Sequence, residues 1–160
     1  MSRKWNEGRT FLMVTGASRG LGQAFAAAIS GYLMPESVVY LTARTESAMI
    51  ETKNKIIKQN DKLKVRHFTI DHAKAEAQTY MSMFEKLSPA QFTSAILIHN
   101  AGSIGKQGQM VRDYGDKEEL LDYNSLNVFS VAVLNSVFMK SFPSGINSFK
   151  NRKYIVENYS

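Results

Sequence analysis

Three glycines, Gly16, Gly20 and Gly22, fall within seven positions of the stretch "VTGASRGLGQAFA", Val14 to Ala26. A glycine-rich turn between a strand and a helix can hold a phosphate. Gly16 permits the tight turn off the strand. Gly20 leaves room for a pyrophosphate at the helix N-terminus, where free N–H groups and the helix dipole favour anions. Gly22 lets the helix pack close to the strand. A Walker-type loop needs Gly-Lys-Ser/Thr, which is absent here. The later "GSIGKQG" fails the same test, because Gln107 follows Lys106. Two arginines could meet further phosphate: Arg19 inside the turn, and Arg44 in "TARTES", at the end of the second strand. A carboxylate there would bind a ribose 2′-hydroxyl, as NAD sites do, and would repel a 2′-phosphate. A guanidinium can form charge-assisted bonds to that phosphate. The pattern favours NADP(H); the bland alternative is two ordinary surface arginines.

The elements that must position these residues alternate along the chain. Phe11–Thr15 is a short apolar run, a candidate buried strand. Leu21, Phe25, Ala28, Ile29 and Tyr32 have helical spacing, stopped by Gly31 and Pro35. Ser37–Ala43 is a second strand. Thr45 can cap a helix to about Gln59, acidic early and basic late as the dipole prefers. Leu63–Ile70 is a third strand, and Ala73, Ala77, Tyr80, Phe84 and Leu87 trace one helical stripe ended by Pro89. Ser94–His99 is a fourth strand. A polar loop runs from Ala101 to about Lys117. A helix from about Leu120 to Phe142 is apolar on nearly every side, which implies burial on more than one face. A fifth strand begins at Tyr154–Val156. Strands alternating with helical crossovers predict an α/β fold, a doubly wound parallel sheet.

Composition narrows the chemistry. The 160 residues fit one domain, 44% hydrophobic and 21% charged. There are no cysteines, which excludes disulfides, thiol chemistry and Cys-zinc sites. His67, His72 and His99 lack metal-ligand spacing, so no metal is expected. No apolar run approaches the roughly 18 residues of a membrane span. The N-terminus lacks a signal-peptide core. A cytoplasmic protein without membrane contact is expected. The net charge of +6 and pI near 9.5 allow nucleic-acid binding. The basic residues are scattered and not interleaved with aromatics, so solvated faces are the simpler reading.

The glycine spacing is Gly-xxx-Gly-x-Gly, not the Gly-x-Gly-xx-Gly of the common dinucleotide fingerprint. "TGASRGLG" resembles the cofactor loop of the short-chain dehydrogenase/reductases. "HNAG", His99–Gly102, resembles the signature ending their fourth strand. Asp71 matches their adenine-contacting acid, and Asn127 in "NSLNVFS" their active-site asparagine. The resemblance covers essentially the whole chain. It implies a Rossmann-type sheet, truncated after the fifth strand, with residues 1–160 an incomplete NADP-binding domain. It implies cofactor contacts from Gly16, Ala17, Ser18, Arg19, Gly20, Leu21, Gly22, Arg44, Thr45, Asp71, His72, Asn100, Ala101 and Gly102. Simpler roles coexist: Asp71 as a helix cap ahead of "HAKAEA", Asn100 and Gly102 as a turn, and Asn127 as a satisfied polar residue. The resemblance also implies pairing of two copies through the Leu120–Phe142 helix. Its narrower form, carried by "TGASRGLGQAFA", "ESVVYLTARTESA", "HNAGSIG" and the run from Val133 to Ser160, implies NADPH-dependent reduction of a small-molecule carbonyl, a pterin side chain.

Reducing a carbonyl leaves charge on its oxygen, so an acid must supply a proton. The family uses a Tyr-xxx-Lys pair and a serine. No tyrosine here is followed four positions later by lysine. Ser160 matches either the serine or the residue before it. The expectation is an N-terminal part of a longer reductase, incompetent alone and with an exposed apolar edge at its fifth strand. The alternatives are another short-chain carbonyl reductase, or a module binding NADP or a partner without catalysis. Arg44→Asp should shift nucleotide preference from NADP toward NAD. Unchanged NADP affinity in a binding titration would refute the assignment of Arg44.

Overall fold

The computed structural model describes residues 8–105 and 117–142 and the backbone of residues 152–157. Five parallel strands form one sheet. They are β1 (Thr10–Thr15), β2 (Val38–Ala43), β3 (Lys64–Thr69), β4 (Ser94–His99) and β5 (Arg152–Glu157), in spatial order β3-β2-β1-β4-β5. Each strand lies close to its expected place. All residues of β1, β2 and β4 are buried, as both-face coverage of a parallel sheet requires. Edge strand β3 alternates more, and exposes the charged Lys64 and Arg66. Among the described residues, no helix is long and apolar enough to cross a membrane.

The pleat of β1 divides the core in two. Leu12 and Val14 point to one face, with Val39, Leu41, Ile96 and Ile98. There helices α1 (Gly20–Ser30) and α2 (Glu46–Gln59) cover them through Ala26, Met49 and Ile56. Phe11 and Met13 point to the other face, covered by α3 (Ala77–Phe84) and α5 (Ser130–Ser141). The fully buried Phe11 ring is the hub of an aromatic cluster. Its centroid lies 5.0 Å from Tyr40, 4.9 Å from Phe142 and 5.8 Å from both Phe84 and Phe92. Such ring contacts add to the burial of apolar area.

Four expectations need correction. The stripe from Ala73 to Leu87 is helical only over Ala77–Phe84. The Asp71 carboxylate accepts the Ala73 N–H at 3.2 Å and the Asp71 carbonyl accepts that of Lys74 at 3.1 Å. Asp71 therefore closes a turn and does not cap the helix. Thr45 occupies the N-cap of α2, but its side chain makes no cap bond. The helix expected from Leu120 to Phe142 is α4 (Lys117–Asn124), a π-helical turn over Ser125–Phe129, then α5. Its inner face is buried through Ser130, Leu134, Val137 and Phe138. Its outward residues are not: Leu121, Val128 and Phe129 are about half exposed (46%, 50% and 53%). The all-round apolar pattern thus covers one buried face and one open one.

Replacing Phe11 with Ala should destabilise the chain by about 3–5 kcal/mol, the usual cost of emptying a large aromatic site. Urea unfolding of the two chains measures it; a loss below about 1 kcal/mol would show that the ring is not the hub of this core.

Candidate functional site

In an open parallel sheet, ligands bind beyond the carboxyl ends of the strands, where the chain order reverses. Here that point is the gap between β1 and β4, flanked by β2. The glycine turn leaves β1 there, and Asn100–Gly102 leaves β4.

Thr15 and Asn100 join the two strand ends. The Thr15 hydroxyl accepts the N–H groups of Asn100 (2.9 Å) and Ala101 (3.0 Å). The Asn100 amide donates to the carbonyls of Thr15 (3.2 Å) and Gly16 (3.1 Å). The contact is so close that a Cβ on Gly22 would collide with the Gly16 carbonyl oxygen and with Asn100 Nδ2. The other turn carbonyls are also held from the protein side. Thr52 Oγ1 donates to Ala17 O at 2.9 Å, Gln23 Nε2 to Ser18 O at 3.4 Å, and the Gln23 N–H to Arg19 O at 3.3 Å. Every carbonyl from Thr15 to Arg19 is thus turned toward a protein donor. The first-turn N–H groups of α1 have no acceptor within the helix. At Gly20, with φ +56°, a Cβ would meet nothing within 4 Å. Open space at Gly20, the N–H groups of the first helical turn and the absence of an acidic residue there are the features that suit an anion.

The rim is basic. Arg19 is the N-cap of α1 and Arg44 follows β2, and both are exposed, as are Thr45 and Leu21. Ser18 is half-buried and Ala17 buried, its N–H donating to Thr42 O at 3.1 Å. Asp71 is half-buried just beyond β3. The His72 side chain is inside: Nε2 bonds Thr42 Oγ1 at 2.9 Å and Nδ1 bonds Tyr80 OH at 2.8 Å. Only its backbone is left for a ligand. Burial, with the nearby His99 charge, lowers the His72 pKa to about 4, against a smaller opposing effect of Asp71. Burial and the Asp71 charge push the Tyr80 phenol up to about 12, so it stays protonated. His99 Nε2 bonds Asn135 Oδ1 at 2.8 Å, and His67 pairs with Glu46 at 3.3 Å.

Asn127 lies inside the π-helical turn. Ser130 closes that turn: its N–H reaches Ser125 O, and its hydroxyl donates to Leu126 O at 2.5 Å. Such back-bonding bends helices. Asn127 Nδ2 donates to Ser103 O and Tyr123 O, both at 3.0 Å, and Oδ1 accepts the Ser103 N–H at 3.0 Å. Its amide clamps the chain just after Asn100–Gly102, and one acceptor position on Oδ1 remains. Ser160 and residues 106–116 of the expected loop lie outside the described residues. Thr15, Gln23 and Thr52 did not stand out in the sequence. One signal existed for Thr52: it is a polar residue on the stripe Met49, Thr52, Ile56 that α2 buries.

The sequence profile of the family described as short chain dehydrogenase matches residues 10–147. The sepiapterin reductase of Xenopus tropicalis is 31% identical over 137 residues, 85% of this chain and 52% of that protein. The sepiapterin reductase of Meriones unguiculatus is 32% identical over 133 residues, 82% of this chain and 51% of that protein. The chain spans about half the length of the curated relatives it matches. Among solved structures, a short chain dehydrogenase from Pseudomonas syringae superposes with a TM-score of 0.72 at 24% identity, over 89% of this chain and 55% of that one. One from Shigella flexneri, complexed with NADP, gives 0.68 at 18% identity, over 86% and 55%.

The His72 environment sets a pH dependence. Its folded pKa of about 4 lies below the ordinary 6.5, so the unfolded chain binds more protons between these values. Stability should fall as pH drops from 6.5 toward 4, by on the order of 3 kcal/mol at most. Urea unfolding of the chain and of His72→Gln across this range checks it; equal slopes would show that His72 is not responsible.

Proposed function

The chain belongs to the short chain dehydrogenase family, and on that premise we propose that it is the dinucleotide-binding part of an NADPH-dependent carbonyl reductase. The whole protein's substrate is a pterin side-chain carbonyl, in the manner of a sepiapterin reductase serving tetrahydrobiopterin synthesis. The observation that carries the reading is the anion cradle at Gly20 beside two exposed arginines, with Arg44 where NAD sites place a carboxylate.

The residues fit the cofactor's groups. The N–H groups at the start of α1 suit the pyrophosphate, and the guanidinium groups of Arg19 and Arg44 suit a 2′-phosphate. Asp71 borders the place of the adenine. Ala101 and Gly102 give backbone approach on the nicotinamide side. When bound, NADPH supplies the hydride. Asn127 fixes the Ser103 backbone and with it the wall of the site, and its free acceptor position can hold a donor in a proton relay. Ser160 or its neighbour is the serine that orients the substrate oxygen. The half-exposed Leu121, Val128 and Phe129 support pairing with a second copy through the helical run from Leu120 to Phe142.

The chain by itself is expected to bind NADPH but not to turn over sepiapterin, because it contains no Tyr-xxx-Lys pair. Fluorescence titration with NADPH, followed by a consumption assay with sepiapterin, tests both parts. Absence of NADPH binding would overturn the cofactor assignment. Steady consumption would overturn the claim that proton donation comes from elsewhere.

A further inference from the structure

We infer that Thr52 on α2 and Gln23 on α1 are positioning residues that set the affinity of the glycine turn for its anion, acting together as a strut behind the turn. This rests on the reading of the turn as a dinucleotide site. Thr52 is fully buried, in the middle of α2. Its one hydroxyl proton points to Ala17 O at 2.9 Å, with the carbonyl of Ala48 on its own helix farther away at 3.3 Å. The oxygen in turn accepts Gln23 Nε2 at 2.9 Å. The second N–H of the same Gln23 amide reaches Ser18 O at 3.4 Å.

The amide is held in this sense by Lys55. Its ammonium donates to Gln23 Oε1 at 2.9 Å and pairs with Glu51 at 2.8 Å, one helical turn back. A cation on Oε1 leaves only the NH2 edge to face Thr52 and Ser18, which fixes the flip of the amide. The chain Glu51–Lys55–Gln23–Thr52 thus ends on two consecutive turn carbonyls. A peptide group that points its carbonyl inward points its N–H the other way. Holding Ala17 O against Thr52 of α2 and Ser18 O against Gln23 of α1 therefore turns the following N–H groups of Ser18 and Arg19 outward, toward the open space at Gly20. Without the strut these peptides could rotate and present a carbonyl to the phosphate, which would repel it. Thr52 is fully buried and the Gln23 amide is spent on Ser18, Thr52 and Lys55, so the strut acts on affinity and not on the choice between NADPH and NADH.

The test measures Kd for NADPH and for NADH with the unaltered chain, Thr52→Val, Thr52→Ser and Gln23→Met, alongside amide hydrogen exchange without ligand. Thr52→Val and Gln23→Met should raise both Kd values by the same factor, about tenfold, the scale of one lost hydrogen bond. The NADPH-to-NADH ratio should stay constant, whereas Arg44→Asp changes it. Thr52→Ser, which keeps the hydroxyl, should restore affinity. Unchanged Kd values in a folded Thr52→Val or Gln23→Met chain would overturn the inference, as would a changed ratio. If Thr52→Val fails to fold, Gln23→Met, whose side chain is only partly buried, carries the test. If the unaltered chain does not bind NADPH, the functional reading falls and exchange judges the strut: the Ala17 amide should exchange about tenfold faster in the variants, with Met13 unaffected. Equal exchange would overturn it.

Discussion

The site depends on a requirement of backbone chemistry: each inward-facing carbonyl of the glycine turn has a donor on the protein side. Thr15 O and Gly16 O take theirs from Asn100, Ala17 O from Thr52, Ser18 O from Gln23 and Arg19 O from the first helical bond of α1. An unpaired buried carbonyl would cost about 1–3 kcal/mol. Meeting that requirement orients the peptide planes, and the outward N–H groups follow from the geometry of the peptide bond. The outward face of N–H groups is thus a by-product of satisfying the carbonyls, which is why its supports come from β1, β4, α1 and α2 together.

The sheet makes this convergence possible. With β1 in the middle, the ends of β2 and β4 lie on either side of the turn at one strand spacing. The two cores hold that spacing from opposite faces, and the Phe11 cluster stiffens the side on which α3 and α5 pack. A looser β1 would separate Asn100 from Gly16, and the close approach at Gly22 would be lost. The π-helical turn has a comparable role at the other wall. It breaks the regular helix where the Asn127 amide can reach the Ser103 backbone on both its N–H and its carbonyl.

Much of this was legible from residue order. The strands read correctly because buried parallel strands are short apolar runs bounded by turn residues, as in "FLMVT" and "SAILIH". The place of the glycine turn between β1 and α1 was legible because close approach at Gly16 and Gly22 leaves no room for a Cβ. The helix from Ala73 was not, since an Asx turn and the first turn of a helix use the same residue types. Nor was the burial of the His72 side chain legible: whether an imidazole faces inward depends on Thr42 and Tyr80, which lie 30 and 8 positions away.

The sequence by itself determined the alternation of strand and helix, the place of the glycine turn, the basic residues Arg19 and Arg44 beside it and the family to which these belong. These are written in local patterns of side-chain type and spacing. The tertiary structure decided the rest: which carbonyls are held, that a threonine in the middle of α2 stands behind the turn, and which face of the long helical run stays open. Those outcomes depend on pairs of residues far apart in the chain, and only packing the helices on the sheet brings them within hydrogen-bond reach.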